Sequence, residues 1–344
     1  MRRSTLLRSI ALVIVCGAAL LLVSELVSDY RNTQLATAAY YFAALAGLTV
    51  LAGHSGQVSL GQGALMAVGA YTAALLIGKE GWALVPALGA AVLVTLIVGV
   101  PVGVAASRLR GPYLAGATLA LAVGLPALAD RFPSTFGGEN GLTINPPTPP
   151  SFLGTGFDLF RWEAWIACVG ALVVLFVLYN LIHSGIGRSW RAVRDDEIAA
   201  ALCGLRVGPT QTVAFIVSAG CAGLGGALLA AAVDQLASPG AFTIQLSLFL
   251  LAGVVVGGLG SLAGAAWGAV LLVFLPNWTN DLAHSFSLPM KVSANLPLAI
   301  YGVVLIGAML VWPSGIQGGV RALAGLIRRH VALPGGLRGG PARH

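Results

Sequence analysis

Ten apolar segments, none with Asp, Glu, Lys or Arg near its middle, divide the chain, and this alternation restricts the fold more than any motif does. They run from about Leu6 to Val27 and then near 34–52, 60–77, 83–106, 113–129, 164–182, 210–232, 243–257, 260–275 and 296–312. A helix rises about 1.5 Å per residue, so about 20 apolar residues cross a hydrocarbon layer of about 30 Å. The chain is therefore expected to be an all-α, polytopic integral membrane helical bundle of about 8–10 transmembrane helices. The segments near 113–129, 243–257 and 260–275 are short, which suits tilted, re-entrant or half-length elements.

Composition excludes whole classes of function. Of 344 residues, 57% are hydrophobic and 9% charged, against about 25% charged in soluble domains. An ordinary cytosolic enzyme does not have this balance. Cys16, Cys168, Cys203 and Cys221 lack C-x-x-C spacing and read as small apolar residues. A nucleotide loop, G-x-x-x-x-G-K followed by Ser or Thr, is missing; the lone Gly-Lys pair, Gly78-Lys79, is followed by Glu80. Ion-coupled carriers keep ionisable groups near the membrane midplane, and their absence here argues against a stand-alone secondary transporter. No H-E-x-x-H motif indicates an intramembrane protease, and His183 and His284 are boundary residues. No catalytic residue, cofactor or metal is expected in this chain. Nor is nucleic acid, because the arginines are not interleaved with aromatics.

Charge sidedness sets the orientation. Met1-Arg-Arg and the apolar run to Val27 resemble a signal sequence, but the run is longer than an h-region and no A-x-A site follows, so it is read as an uncleaved first span. With a cytoplasmic N-terminus, fourteen basic residues fall inside and five outside, accounting for all 19. The outside set is Arg31, Lys79, Arg131, Arg161 and Lys291. Residues 1–32 then form an N-terminal tail and first span, 33–320 the membrane domain, and 321–344 a basic cytoplasmic tail.

Two polar intervals stand out. Residues 183–209 carry Arg188, Arg191, Arg194, Asp195, Asp196, Glu197 and Arg206 on a stretch that reads as a helix between two spans, placed on the cytoplasmic side by the charge rule. Arg191, Arg194 and Glu197 fall three apart and would share a helix face, while Ala199, Ala200 and Gly204 keep another face flat. A solvated amphipathic loop is the plainer alternative. Residues 130–163 form an extended extracytoplasmic loop, because Pro146, Pro147, Pro149 and Pro150 forbid a regular helix; it suits a passive linker or an external docking surface equally.

Two glycine-dense stretches complete the inventory. In Gly257 to Gly268, Gly260, Gly264 and Gly268 recur every four residues, the small-xxx-small spacing of close helix packing. In Gly53 to Ala64, Ser55, Gln57, Ser59 and Gln62 place hydrogen-bonding groups at membrane depth. Helix packing explains that stretch, and so does a substrate path or a broken helix beside one.

The residues GHSGQVSLGQGALMAVGAY from Gly53 to Tyr71 resemble the signature of the branched-chain amino-acid ABC importer permeases of the LivH/LivM family. GRSWRAVRDDEIAAALCG (Gly187–Gly204), GGLGSLAGAAWGA (Gly257–Ala269) and YGVVLIGAMLVWPSGI (Tyr301–Ile316) are similar to the same family in the same order, closer to its LivM branch. The resemblance implies a multi-pass protein of the bacterial inner (plasma) membrane that imports branched-chain or related amino acids by alternating access. Relatives for urea, short amides or nucleosides are the alternative. It also implies partners: a LivH-like permease, two ATP-binding cassette subunits that hold ATP and magnesium, an extracytoplasmic binding protein and membrane lipid. By the same resemblance, Arg188, Arg191, Arg194, Asp195, Glu197, Ala200 and Gly204 belong to the element that couples to the ATPase.

Overall fold

The computed structural model describes residues 3–109, 111–145, 148–149, 158–285 and 315–331, with 300, 302–303, 306–307 and 310 between the last two. Its first helix, α1 (Arg3–Leu26), is followed after two residues by α2 (Asp29–Leu48), which continues through a wider π turn, Thr49–His54. Non-helical backbone follows. Helix α3 (Gln62–Ala74) starts beyond it and is prolonged by a second π turn, Leu75–Lys79. Helices α4 (Leu84–Ala106) and α5 (Pro112–Arg131) come next, the latter opening on a proline whose missing N–H has no intrahelical partner to lose.

After the short α6 (Pro133–Phe136), α7 (Leu159–Ile182) begins where the Asp158 carboxylate accepts from Arg161 N. Two helices outside the apolar bundle, α8 (Gly185–Asp195) and α9 (Glu197–Leu202), lead into α10 (Val207–Leu228) and its π turn, Leu229–Val233. The apolar α11 (Ile244–Gly257) and α12 (Leu262–Ser285) form a tight pair, and α13 (Gly315–Val331) is the last described element. Strands β1 (Leu142–Thr143) and β2 (Leu236–Ala237) pair antiparallel, Leu142 opposite Ala237.

Six of these helices, counted with their π turns, are long and apolar enough to cross a membrane among the described residues: α1, α2, α4, α5, α7 and α10. The expected segments near 243–257 and 260–275 appear as the shorter apolar pair α11 and α12, the second running past Pro276. Segment 60–77 is α3 with its π turn, and most of segment 296–312 lies outside the described residues. The chain is a polytopic, almost wholly helical membrane protein.

Helix α10 occupies the centre, packed on α2, α3 and α4. Its contact with α3 is backbone to backbone: a Cβ built on Gly69 would lie 2.0 Å from Gly223 O, and one on Gly226 1.9 Å from Met66 O. Only glycine lets two helices approach this closely. Helix α1, by contrast, is peripheral and rests on α7 through Ser9 with Asn180 and Ser24 with Trp165.

Contacts sort the connections to two ends of the bundle. At one end lie residues 53–61, 107–109, 111, 183–209, 258–261 and Gly315. At the other, Lys79 donates to the carbonyls of Ser134 and Thr135, the two strands pair, Gln235 donates to Glu163, and Arg161 pairs with Glu25. The division matches the one that arginine sidedness predicts.

Three expectations are corrected. The loop expected over 130–163 is narrower, because α5 reaches Arg131 and α7 starts at Leu159, and it holds α6, a 3-10 turn at Gly138–Asn140 and β1. Pro146, Pro147 and Pro150 lie outside the described residues. The charged stretch is two helices rather than one, with Asp196 extended between them at φ −157 and ψ 110, so Glu197 does not continue the face of Arg191 and Arg194. Gly260 is not on a helix face with Gly264 and Gly268: it stands at φ +78 in the turn before α12.

Candidate functional site

Helix α8 is anchored by one wholly buried side chain. Trp190 is 0% exposed, and its indole N–H donates to Thr210 O at 3.0 Å. Gly187 adds a backbone contact, since a Cβ there would lie 2.2 Å from Ile182 O. The helix is thus tied to the end of α7 and the start of α10, and Arg188 and Arg191 stay exposed.

Arg194 reaches the broken helix. Its guanidinium pairs with Asp195 at 2.7 Å and donates through Nη1 to the carbonyl oxygen of Gly53. Gly53 belongs to the π turn that ends α2. Three residues on, a Cβ built on Gly56 would lie 3.0 Å from Arg194 Cγ, and Gly56 sits at φ +74, in the left-handed region that favours glycine. A charge-assisted hydrogen bond therefore joins the charged loop to the point where α2 stops being a helix.

Between His54 and Gln62 the backbone leaves the helix at the level of the bundle's end, and its freed groups are met by side chains from other helices and from the break itself. Leu60 N donates to Thr118 Oγ1 at 2.9 Å, Gly63 N to Ser247 Oγ at 3.0 Å, and Gly61 N to Ser59 Oγ at 3.2 Å. Gln62 donates to Ala44 O at 2.9 Å and accepts from Ser218 at 3.3 Å. Thr118, Ser218 and Ser247 were not singled out from the sequence. Their signal was a hydroxyl in an apolar span, which is too common to select them. Of the expected path residues, Ser59 and Gln62 are thus hydrogen-bonded inside the break. Ser55 Oγ and Gln57 Oε1 are buried without a hydrogen-bond partner among the described residues.

Gln57 lines a cleft of about 460 Å³ that runs from the break to the charged loop. Val58, Ser107, Gly111, Glu197 and Gln211 complete the part of the wall that concerns the loop. Glu197 accepts from Gln211 Nε2 at 2.9 Å, so the first residue of α9 is held to α10.

Helix α9 is capped at both ends. The Asp196 carboxylate accepts from the N–H groups of Ile198 (2.8 Å) and Ala199 (3.0 Å). At the other end Gly204, at φ +85, lets Leu205 N reach Ala200 O at 3.0 Å. Ala200 is buried, whereas Ile198 is 75% and Leu202 85% exposed. Two large aliphatic side chains one turn apart on a short helix outside the apolar bundle form a ridge that no described residue covers.

The glycine turn between α11 and α12 closes against the same region. A Cβ on Gly53 would lie 2.2 Å from Gly260 N, one on Gly264 2.5 Å from Gly258 O, and one on Gly268 2.4 Å from Gly253 O. Gly264 and Gly268 bring α12 onto α11, and Gly260 brings the turn onto the break. No cluster of three His, Cys, Asp or Glu side chains suits a metal among the described residues.

Comparison with known proteins places this arrangement. Residues 30–312 match the sequence model of the family described as branched-chain amino acid transport system / permease component. The high-affinity branched-chain amino acid transport system permease proteins LivM of Salmonella typhimurium and Escherichia coli are each 34% identical over 295 residues, covering 78% of this chain and 66% of the relative. The chain thus spans just under two thirds of the length of these relatives. The ribose import permease protein RbsC of Escherichia coli is 29% identical over 286 residues, 77% of this chain and 79% of the relative. No solved structure matches with significance. The family match extends over the broken helix, the charged loop and the glycine turn alike, and the chain belongs to the branched-chain amino acid permease-component family.

Proposed function

We propose that this chain is the membrane subunit of an ATP-driven importer of branched-chain or related amino acids, working by alternating access. The observation that carries the reading is the bond from Arg194 to Gly53: a solvent-side loop holds the backbone of a broken helix lined by buried polar groups. Partner ATPases dock on the Ile198–Leu202 ridge of α9, with Arg188 supplying charge beside it. When these subunits close on ATP, α8 and α9 move as one body about Trp190, and Arg194 carries the displacement to residues 53–61. Ser55 and Gln57 then exchange between packed and solute-facing positions. ATP and magnesium are held by the partners. A second permease of the LivH kind and an extracytoplasmic binding protein complete the assembly, in the bacterial plasma membrane.

Names of relatives support the substrate class, since two of them are branched-chain amino acid permeases. A second reading, import of another small polar solute, is favoured by the ribose permease among the relatives. The two are separated by uptake into proteoliposomes holding the whole assembly, with leucine, ribose, urea and a nucleoside in competition. Uptake is expected only with ATPase, ATP and binding protein present. Solute movement by the chain alone would overturn the proposal. Glu197→Lys is expected to leave ATP hydrolysis and abolish uptake.

A further inference from the structure

A second cleft, of about 820 Å³, opens between α1, α2 and α7 on one side and α12 on the other. On α7 its wall runs from Cys168 to Ile182, about four helical turns, and continues onto His183 just beyond the helix. Most of that wall is aliphatic. At the charged-loop end it changes character: Arg191 of α8 and Arg321 of α13 stand at the mouth with His54, His183 and Ser261. Arg321 is oriented there by its Nη2 donating to Ser261 Oγ at 3.2 Å. Among the described residues, no Asp or Glu lines the cleft.

We propose that this cleft binds an anionic phospholipid of the leaflet on the charged-loop side, its phosphodiester between Arg191 and Arg321 and one acyl chain between α7 and α12. A basic mouth over an apolar interhelical slot is the shape of a phospholipid, and basic pockets between membrane helices on the cytoplasmic side select acidic headgroups. Seating an apolar helix of a neighbouring protein would leave two guanidinium groups without counter-charge at the edge of the hydrocarbon, where unpaired charge is costly. The phosphodiester supplies that charge. An acyl chain gains little by leaving bulk lipid for an equally apolar slot, so selectivity rests on the headgroup, and a preference of roughly tenfold for anionic over zwitterionic lipid is expected from two arginines. The site needs a membrane around the protein but not the transport reading.

The test is photo-crosslinking of the full chain in phosphatidylcholine nanodiscs containing trace diazirine-bearing phosphatidylglycerol or, separately, diazirine-bearing phosphatidylcholine, with the labelled peptides mapped by mass spectrometry. Phosphatidylglycerol is expected to label the Ala263–Val270 face of α12 about tenfold more than phosphatidylcholine does. Arg191→Gln/Arg321→Gln is expected to remove that excess. Ala266→Phe, which fills the cleft and leaves the charges in place, is expected to reduce labelling by both lipids, so the test survives if the double variant misfolds. Equal labelling by the two lipids in the wild-type chain, or undiminished phosphatidylglycerol labelling in the folded double variant or in Ala266→Phe, overturns the proposal. So does loss of all labelling there when a second permease subunit is co-assembled, which would assign the cleft to a polypeptide.

Discussion

Arg194 donates a hydrogen bond to the backbone carbonyl of Gly53, a residue 141 positions earlier, and so ties the charged loop to the end of the second helix. A guanidinium here does what no other side chain can do at once: it pairs with Asp195 in the loop and reaches a carbonyl that the π turn leaves available. Removing it breaks the mechanical link without opening the core, because Arg194 itself is exposed.

Arg194→Ala is accordingly expected to lower solute uptake by roughly tenfold or more in the reconstituted assembly while ATP hydrolysis persists, in line with loss of one charged hydrogen bond of about 1.5–3 kcal/mol. Arg194→Lys, which keeps the charge but loses the fork, is expected to fall between. The ratio of solute moved to ATP hydrolysed is the measurement that decides, and an unchanged ratio in the alanine variant would remove Arg194 from the coupling route.

The ridge on α9 gives a separable prediction. Ile198→Asp and Leu202→Asp alter side chains that touch little of the chain itself, so the variants are expected to insert and melt like the wild type. Co-purification with the ATPase subunit is expected to drop at least tenfold in each. Wild-type recovery of the ATPase with both variants would show that docking uses another surface.

Glycines at crossing points are expected to be intolerant by position, not by kind. Gly226→Ala brings a methyl group against Met66 O, at 1.9 Å before relaxation, and overpacking of this sort typically destabilises by about 1–3 kcal/mol. Gly89→Ala, in α4, meets nothing within 4 Å and is expected to be neutral or slightly stabilising. Thermal unfolding in detergent should therefore separate the two by several degrees, and similar melting would contradict the crossing of α3 and α10.

Gly53→Ala is the stricter case, since the added carbon would lie 2.2 Å from a backbone nitrogen of Gly260, itself fixed at positive φ. The expected outcome is loss of uptake together with lowered melting. A paired change at Gly260 should not rescue it, because any side chain there is strained by the backbone conformation. Full activity of Gly53→Ala would mean that the turn and the break are farther apart than described.

Much of this protein could be read from residue order. Continuous apolar runs named the spans of α1, α2, α4, α5, α7 and α10 to within a few residues, because a membrane accepts only long stretches of one character. Arginine placement sorted the connections to two ends, and contacts between distant loops reproduce that sorting. The polar stretch from Gly53 to Gln62 offered both packing and a broken helix. It folds as a break, with Thr118 and Ser247 accepting its N–H groups from helices that sequence proximity could not connect to it.

Elsewhere local pattern gave the wrong geometry. Regular spacing put Gly260 on a helix face with Gly264 and Gly268, but a backbone at φ +78 ends a helix whatever its neighbours' period. Even spacing of Arg191, Arg194 and Glu197 suggested one face, and Asp196 divided it by capping a new helix with its own carboxylate. Amino-acid order alone determined that this chain lives in a membrane, where its long apolar segments lie and which end is basic, since those follow from the free energy of transferring each residue into lipid. Which backbone meets which, with Arg194 on Gly53 and Gly69 on Gly223, was decided only by tertiary packing, because hydrogen bonds and van der Waals fit depend on three-dimensional separations that no one-dimensional spacing encodes.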